Sequence, residues 1–251
     1  MKNLKFQAIC LVLAVLFISS CKEQDPPPVP ATIEIVFKGK YIDQPLVFDP
    51  NFTYDYYEGS KIGFTRSEFF VDNFELLSAS KNVNFGELRH IKLQDKQFTL
   101  EKAKEGYKLS FLTLAEGTFD GISFHLGLTP EQNRTNPTDY KGPHVLADGD
   151  NYWSGWNSYI FSKTEGSLSN SNTNVSRFAY HSGFNQAFRK IKLNRSITIK
   201  DGEVNTIVID IDHREIFGKQ SDYVNIYQDN IIHEDIDFII KFMDQFSNSF
   251  K

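Results

Sequence analysis

Six histidines and two tryptophans are the residues of this chain that are best suited to chemistry. The chain has 251 residues, and only two of them are cysteine and two methionine. The histidines are His90, His125, His144, His181, His213 and His233. None of them has the close spacing of a zinc-enzyme helix motif, so spacing alone predicts no metal site.

Two of the histidines lie in predicted strands. His125 stands between Phe124 and Leu126, and His181 follows Tyr180. Successive side chains of a strand point to opposite faces, so both imidazoles are expected on the face opposite their apolar neighbours. If the two strands are adjacent, the imidazoles converge on a candidate metal site.

Both tryptophans lie in the segment from Asp148 to Asn157. Asp148 and Asp150 have a spacing that calcium ligands can have, but the glycine and the distal glutamate of an EF-hand loop are missing. Trp153 and Trp156 suit a sugar-stacking platform, a redox-active pair or buried anchors. The sequence leaves these roles open.

The N-terminal segment has the pattern of a lipoprotein signal. Two lysines precede an apolar run from Phe6 to Ile18, which is short for a membrane span and typical of a signal peptide. The following Ile18-Ser19-Ser20-Cys21 resembles the bacterial lipobox. We therefore expect a signal peptide at residues 1–20, and a lipidated Cys21 with a Pro-rich tether at residues 21–31.

This arrangement limits the chemistry of the remaining domain. Cys10 is removed with the signal peptide and Cys21 carries the lipid, so no thiol is left for a disulfide, a metal or a nucleophile. The net charge of −5 argues against nucleic-acid binding. No Gly-x-Ser-x-Gly motif is present, and we expect no enzymatic activity. A lipid anchor places the protein in the cell envelope, at the outer membrane on its periplasmic face or at the cell surface.

The elements that must position these residues are mainly strands. Period-two alternation of apolar residues recurs from Ile33 onward, with turn signals at short intervals, which predicts an antiparallel β-sandwich for residues 32–251. Residues 128–152 form a long loop of a length that is usually functional, and residues 166–176 form a polar hairpin loop. One helix is predicted at the C-terminus, from the stripe Ile232, Ile236, Ile239, Met243, Phe246 and Phe250.

The order of short motifs resembles the MbnP-like family of exported proteins over roughly residues 31–250. The motifs that carry the resemblance are Leu126-Gly127-Leu128-Thr129-Pro130, Asn133, Asn136-Pro137, Trp153 to Trp156, Tyr159-Ile160-Phe161, Glu165-Gly166, Phe178-Ala179-Tyr180-His181-Ser182-Gly183, Ile207 to Asp212, Ile216-Phe217 and a closing helix that begins near His233.

The resemblance implies a β-rich domain that binds copper through histidines. It also implies a tryptophan oxidised to kynurenine by a partner di-haem protein of the MbnH or cytochrome c peroxidase type. By position, His181 is the motif histidine and His233 matches less closely. The spacing of Trp153 and Trp156 departs from the family pattern, so both remain candidates for the modified residue.

We therefore predict a lipid-anchored, non-enzymatic copper-binding or copper-handling protein. His181 is the first ligand candidate, with His125 and His233 after it. The alternative is a cell-surface recognition module in which loop 128–157 binds a glycan or a protein through Tyr152, Trp153 and Trp156.

Overall fold

The computed structural model describes residues 29–170, 175–219 and 221–251. The predicted signal peptide, the lipidation site Cys21 and most of the tether lie outside these residues. No helix within the described ranges is long and apolar enough to cross a membrane.

The described chain is built mainly from strands. They are β1 (Ala31–Tyr41), β2 (Gln44–Pro45), β3 (Tyr54–Asp55), β4 (Lys61–Leu77), β5 (Val83–Asn84), β6 (Arg89–Lys92), β7 (Tyr107–Thr113), β8 (Gly117–Leu126), β9 (Tyr152–Trp153), β10 (Ser158–Ser169), β11 (Val175–Gly183), β12 (Arg189–Ile199), β13 (Val204–Asp212) and β14 (Ile231–Ile232).

Helices are short, apart from the last. The α-helices are α1 (Leu100–Glu105), α2 (Pro130–Asn133), α3 (His213–Ile216) and α4 (Ile236–Asn248). Single 3₁₀ turns occupy Tyr57–Gly59, Leu93–Asp95, Pro137–Asp139, Val145–Ala147, Gly149–Asn151 and Asn185–Ala187.

The strands form two sheets, which confirms the predicted β-sandwich with a C-terminal helix. The smaller sheet has the order β13-β1-β2, with β7 also paired to β1. The larger sheet has the order β12-β8-β4-β10-β11-β14. Most pairings are antiparallel, but β1 pairs with β13 and β11 with β14 in parallel, so the sheets are mixed.

Aromatic side chains fill the space between the sheets. Phe37 of β1 meets Phe69 of β4 and Phe124 of β8 edge to face, each at 5.9 Å between ring centroids. Phe246 of α4 packs on Phe69 at 5.4 Å, so the helix closes this core. Edge-to-face contacts are the favoured geometry for rings and contribute about 0.5–1.5 kcal/mol each beyond the burial of area.

Helix α4 is shorter than the apolar stripe that predicts it. The carboxylate of Asp235 accepts a hydrogen bond from the backbone N–H of Phe238 and caps the helix start. Ile232 lies before this cap, in β14, and Phe250 lies beyond the helix, opposite Ile211. Both flanking residues are apolar because they also pack on the core.

The predicted polar loop at residues 166–176 is largely strand. Strand β10 continues to Ser169 and β11 begins at Val175, with these two residues paired. Residues 171–174 lie outside the described part of the chain. The hydrogen bonds between strands use only backbone groups, so polar side chains are compatible with the ends of strands. The polarity of residues 166–176 therefore does not show where the strands end and the loop begins.

Alternation along the larger sheet separates an inner apolar face from an outer polar face. Phe69 and Tyr180 point into the core, whereas their neighbours Glu68 and His181 lie on the outer face. The predicted long loop is observed as the connection from β8 to β10, and it lies over this outer face. Capping boxes at Thr129 and Asn136 fix the first two of its four short helical turns.

Candidate metal centre

Two imidazoles meet at the edge of the larger sheet. The rings of His181 and His233 have centroids 4.7 Å apart and planes at 74°. The reason is the parallel pairing of β14 with β11, in which Ile232 stands opposite Tyr180. The next residue of each segment is a histidine, and the register therefore brings the two side by side.

The orientation of the His181 ring is set by a carboxylate. Nε2 of His181 lies 2.9 Å from Oε1 of Glu165 on the neighbouring strand β10. An ionised carboxylate only accepts hydrogen bonds, so Nε2 carries the hydrogen and donates it. In the neutral ring, Nδ1 then keeps its lone pair and is the atom available to a metal.

Glu165 is itself held in place as an anion. Nη1 of Arg66 on β4 lies 3.0 Å from Oε1 of Glu165. The hydrogen bond from His181 lowers the pKa of Glu165, and the charge of Arg66 lowers it further, against the opposing effect of burial. The carboxylate is therefore charged at neutral pH and remains an acceptor for His181.

His233 offers a second nitrogen. Among the described residues, the Nδ1 atoms of His181 and His233 are buried without a hydrogen-bond partner, as is Nδ1 of His125, but only the first two belong to rings in contact with each other. Burial lowers the pKa of His233, and the neighbouring His181 lowers it further. A neutral imidazole with an unpaired buried nitrogen has the form that a metal ligand requires.

The two tryptophans are presented by a tight hairpin. Strand β9 pairs with the start of β10, with Trp153 opposite Ser158. The backbone N–H of Trp156 donates to the carbonyl of Trp153 at 3.1 Å, which closes the turn. Asn157 completes it with a φ of 52°, a left-handed conformation that asparagine tolerates better than most residues.

The hairpin places the tryptophans against the histidine pair. Trp153 stacks on Trp156 with centroids 5.0 Å apart and planes at 12°, and it meets the ring of His233 at 5.0 Å. Trp156 packs on Phe184 at 4.8 Å and over Gly183, where an added Cβ would lie 2.8 Å from the indole. A continuous row of rings thus leads from Phe184 through the tryptophans to the histidines.

The donor set fits a metal held by imidazole. Imidazole nitrogen suits copper, zinc, iron and nickel, and a carboxylate bonded to the far nitrogen is the usual support of such a ligand. The described residues contain no group of three or more histidine, cysteine, aspartate or glutamate side chains arranged to hold a metal. The site therefore offers two strong ligands, His181 and His233.

His125 does not join this pair. Its strand β8 is separated from β11 by β4 and β10, so the hypothesis that the strands of His125 and His181 are adjacent is not met. Three strand spacings of about 4.8 Å put the two strands roughly 14 Å apart. His125 also pairs with Asp72 of β4 whereas His181 lies in line with Glu68, so the two residues are further apart than the strands. The His125 ring packs instead on Phe188, at 4.9 Å.

Asp148 and Asp150, the pair considered for calcium, have other partners. The carboxylate of Asp148 accepts hydrogen bonds from the backbone N–H of Asp150 and from Nδ2 of Asn151. It thereby caps the 3₁₀ turn at Gly149–Asn151. Asp150 uses its backbone carbonyl to accept a bond from Lys163.

Sequence reasoning missed the charged residues that support the site. Two neighbouring strands carry four charged residues on the outer face, and the sequence predicts no role for them: Arg66, Glu68, Lys163 and Glu165. The available signal was the presence of charge within otherwise apolar strand segments, such as Lys163 after Phe161. Their partners follow only from the strand register.

Two comparisons relate the chain to known proteins. The solved structure of MbnP from Methylosinus trichosporium is similar to the chain at 10% sequence identity, with a TM-score of 0.47. The similarity covers 75% of this chain and 77% of that one. No curated protein matches the sequence. The MbnP family model matches residues 30–234, most of the chain, and the protein therefore belongs to the MbnP family.

Proposed function

We propose that this protein binds copper through Nδ1 of His181 and Nδ1 of His233. The observation that carries the proposal is the pair of buried, unpartnered Nδ1 atoms in rings 4.7 Å apart. Burial of a polar atom without a partner is costly, and a metal ion removes that cost. Membership of the MbnP family supports copper among the metals that imidazole suits.

Within this proposal the protein holds copper rather than catalysing a reaction. His181 and His233 supply nitrogen ligands, and Glu165 keeps the hydrogen on Nε2 of His181. Arg66 keeps Glu165 ionised, so the orientation of His181 does not depend on the metal. Copper would be bound as a cation by two neutral imidazoles, with the indole of Trp153 beside them.

Trp153 is the residue we assign to oxidative modification. Its ring contacts His233, whereas Trp156 is one ring further away and packs on Phe184. Conversion to kynurenine would take its oxidising equivalents and oxygen from peroxide activated by a di-haem partner of the cytochrome c peroxidase type. The indole C2–C3 bond would break, C3 would become a ketone and C2 would leave as formate, which would bring a new carbonyl and amine close to the copper ligands. This assignment is a proposal for one of the two tryptophans that the sequence left open.

The cellular setting belongs to the same proposal. A lipid on Cys21 anchors the protein in the cell envelope, and the Pro-rich tether predicted within residues 21–31 links the domain to it. The domain that carries the candidate site begins at β1, whose first residue Ala31 is buried. Copper handling in the envelope then takes place at the membrane surface, within reach of an exported di-haem partner.

The alternative function, glycan or protein recognition through loop 128–157, has less support. A stacking platform needs open ring faces, but Trp153 and Trp156 cover one another and Phe184 covers part of Trp156. Tyr152 donates its hydroxyl to Oδ1 of Asn157 and packs against Tyr159. These rings serve the loop itself.

A competition titration tests the proposal. Purified protein is titrated with Cu(I) against a chromophoric chelator, in parallel with His181→Ala, His233→Ala and the control His125→Ala. We expect one equivalent bound more tightly than micromolar in the wild type and the control, and a loss of at least tenfold in the other two. Wild-type binding no tighter than micromolar, or equal loss in the control, would overturn the proposal.

A further inference from the structure

A buried ion pair lies beneath the connection from β8 to β10, which carries both tryptophans. Lys163 of β10 and Glu68 of β4 are 6% and 5% exposed, and Nζ of Lys163 lies 2.9 Å from Oε1 of Glu68. Lys163 stands directly opposite His181 in the pairing of β10 with β11. The pair is therefore one strand away from the candidate metal centre, on the same face of the sheet.

Lys163 connects the sheet to the loop above it. Besides Glu68, its ammonium donates to the backbone carbonyl of Asp150 at 3.1 Å and to Oδ1 of Asn151 at 2.8 Å. An ammonium has three donors, so these three acceptors saturate it. Two of the acceptors belong to the turn that ends immediately before β9, the strand that carries Trp153.

The other half of the pair is fixed as firmly. Nε2 of Gln94 donates to Oε2 of Glu68 at 3.0 Å, and the guanidinium of Arg66 lies 4.0 Å away. Burial raises the pKa of Glu68, but the hydrogen bond and the charge of Lys163 outweigh it and leave the pKa below its usual value. The Glu68 carboxyl is thus ionised at neutral pH.

A buried ion pair adds little net stability, because desolvation offsets the attraction, whereas its directional bonds can specify one arrangement. We propose that the Lys163–Glu68 pair positions the Trp153 hairpin against His233, so that Lys163 is a positioning residue of the copper site. The copper part of this inference rests on the proposed function, whereas the ordering of the loop does not.

The test removes both charges together, so that neither is left buried alone. The double variant Lys163→Met/Glu68→Met is compared with Lys190→Met/Glu75→Met, which removes a less buried pair of the same sheet, with side chains 57% and 21% exposed and charged atoms 3.7 Å apart. We expect backbone amide exchange across residues 148–157 to rise at least tenfold in the first variant only. Unchanged exchange in this segment would overturn the proposal.

Copper affinity and thermal stability are measured on the same two variants. Changes to residues that support a metal ligand typically weaken metal binding by about 10–100-fold. We expect a loss in this range in Lys163→Met/Glu68→Met, with little change in its unfolding midpoint, and no loss in Lys190→Met/Glu75→Met. Unchanged affinity, or a loss that merely follows unfolding, would contradict a positioning role. If the wild type binds no copper, the proposed function fails, and the exchange result still decides whether Lys163 orders the loop.

A milder variant covers the case in which the double variant does not fold. Asn151→Ala removes one acceptor of Lys163 and leaves the ion pair in place. The same changes are expected in the same direction: faster exchange across residues 148–157 and weaker copper binding. Because Nδ2 of Asn151 also donates to Asp148, the control is Asp148→Asn, which loses that bond and keeps both loop acceptors of Lys163. An effect of Asn151→Ala no larger than that of Asp148→Asn would overturn the proposal.

Discussion

The Nε2 atom of His181 donates a hydrogen bond to Glu165, and this bond leaves Nδ1 as the ring nitrogen with a free lone pair. The distance to Oε1 is 2.9 Å, and the carboxylate also receives Nη1 of Arg66 at 3.0 Å. His181 is therefore oriented before any metal arrives. This preorganisation is the usual support of a histidine ligand.

Substitution Glu165→Gln tests that support. The amide keeps the size of the side chain but loses the charge that fixes Nε2–H, so we expect Cu(I) affinity to fall by about 10–100-fold. The measurement is the chelator competition described above. Glu203→Gln, which removes an exposed carboxylate near Lys200, is the control and should bind as the wild type does. Equal affinities of Glu165→Gln and wild type would refute this role.

Substitution Gly183→Ala tests the stacking of the tryptophans. The new Cβ would lie 2.8 Å from both the Trp156 indole and the carbonyl of Tyr159, so Trp156 must move. Overpacking of this kind costs about 1–3 kcal/mol of unfolding free energy, and it should weaken the exciton signal of the stacked indoles in circular dichroism. At Gly149 a Cβ meets nothing within 4 Å, so Gly149→Ala should retain both stability and signal.

The modified tryptophan can be identified by mass. We expect the protein isolated from cells that make a di-haem peroxidase partner to carry the kynurenine mass change at Trp153, because this ring contacts His233. Peptide mapping after proteolysis separates Trp153 from Trp156 when cleavage or fragmentation falls between them. Modification confined to Trp156 would contradict the assignment.

Acid should destabilise the fold through His213, which the candidate metal centre does not use. This residue is fully buried, with Nδ1 bonded to the carbonyl of Ile211 and Nε2 accepting from Ser67. Burial lowers its pKa from 6.5 to about 4. Between these values the unfolded chain binds the proton and the folded chain does not, so stability falls as pH decreases from about 6.5 toward 4.

Urea unfolding between pH 7 and pH 4.5 measures this effect. The lowered pKa of His213 corresponds to a loss of at most about 3 kcal/mol of unfolding free energy by pH 4, at 1.36 kcal/mol for each pH unit. His213→Gln has no group to titrate at this position and should show a flatter dependence of unfolding free energy on pH. An unchanged slope in His213→Gln would show that other groups cause the acid sensitivity.

Patterns in the sequence predict the sandwich well and the site only in part. Alternation such as Ile33, Ile35 and Phe37 reports which face of a strand is buried, and this predicts the layers. It does not report which strands are neighbours, which is why His125 seemed able to join His181. The pairing of His181 with His233 depends on the two-residue strand β14, which is too short for any periodicity to reveal.

The charged residues that support the site also cannot be predicted without the register of the strands. Arg66 and Glu165 are far apart in sequence and meet because β4 pairs with β10. A single charged residue in a strand predicts a solvated position, whereas Lys163 is buried because the loop supplies two acceptors above it. These partners come from β4, β10 and the loop before β9, and a pattern within one segment carries no information about the other two.

The most direct test of the account is nuclear magnetic resonance of protein labelled with ¹⁵N in its histidines, recorded before and after one equivalent of Cu(I). Cu(I) is diamagnetic, so the ring nitrogens remain observable. We expect the Nδ1 signals of His181 and His233 to shift on copper addition. Nε2 of His181 should stay protonated, and the ring-nitrogen signals of His125 should not change. Shifts at Nε2 of His181, or at His125 instead, would contradict it.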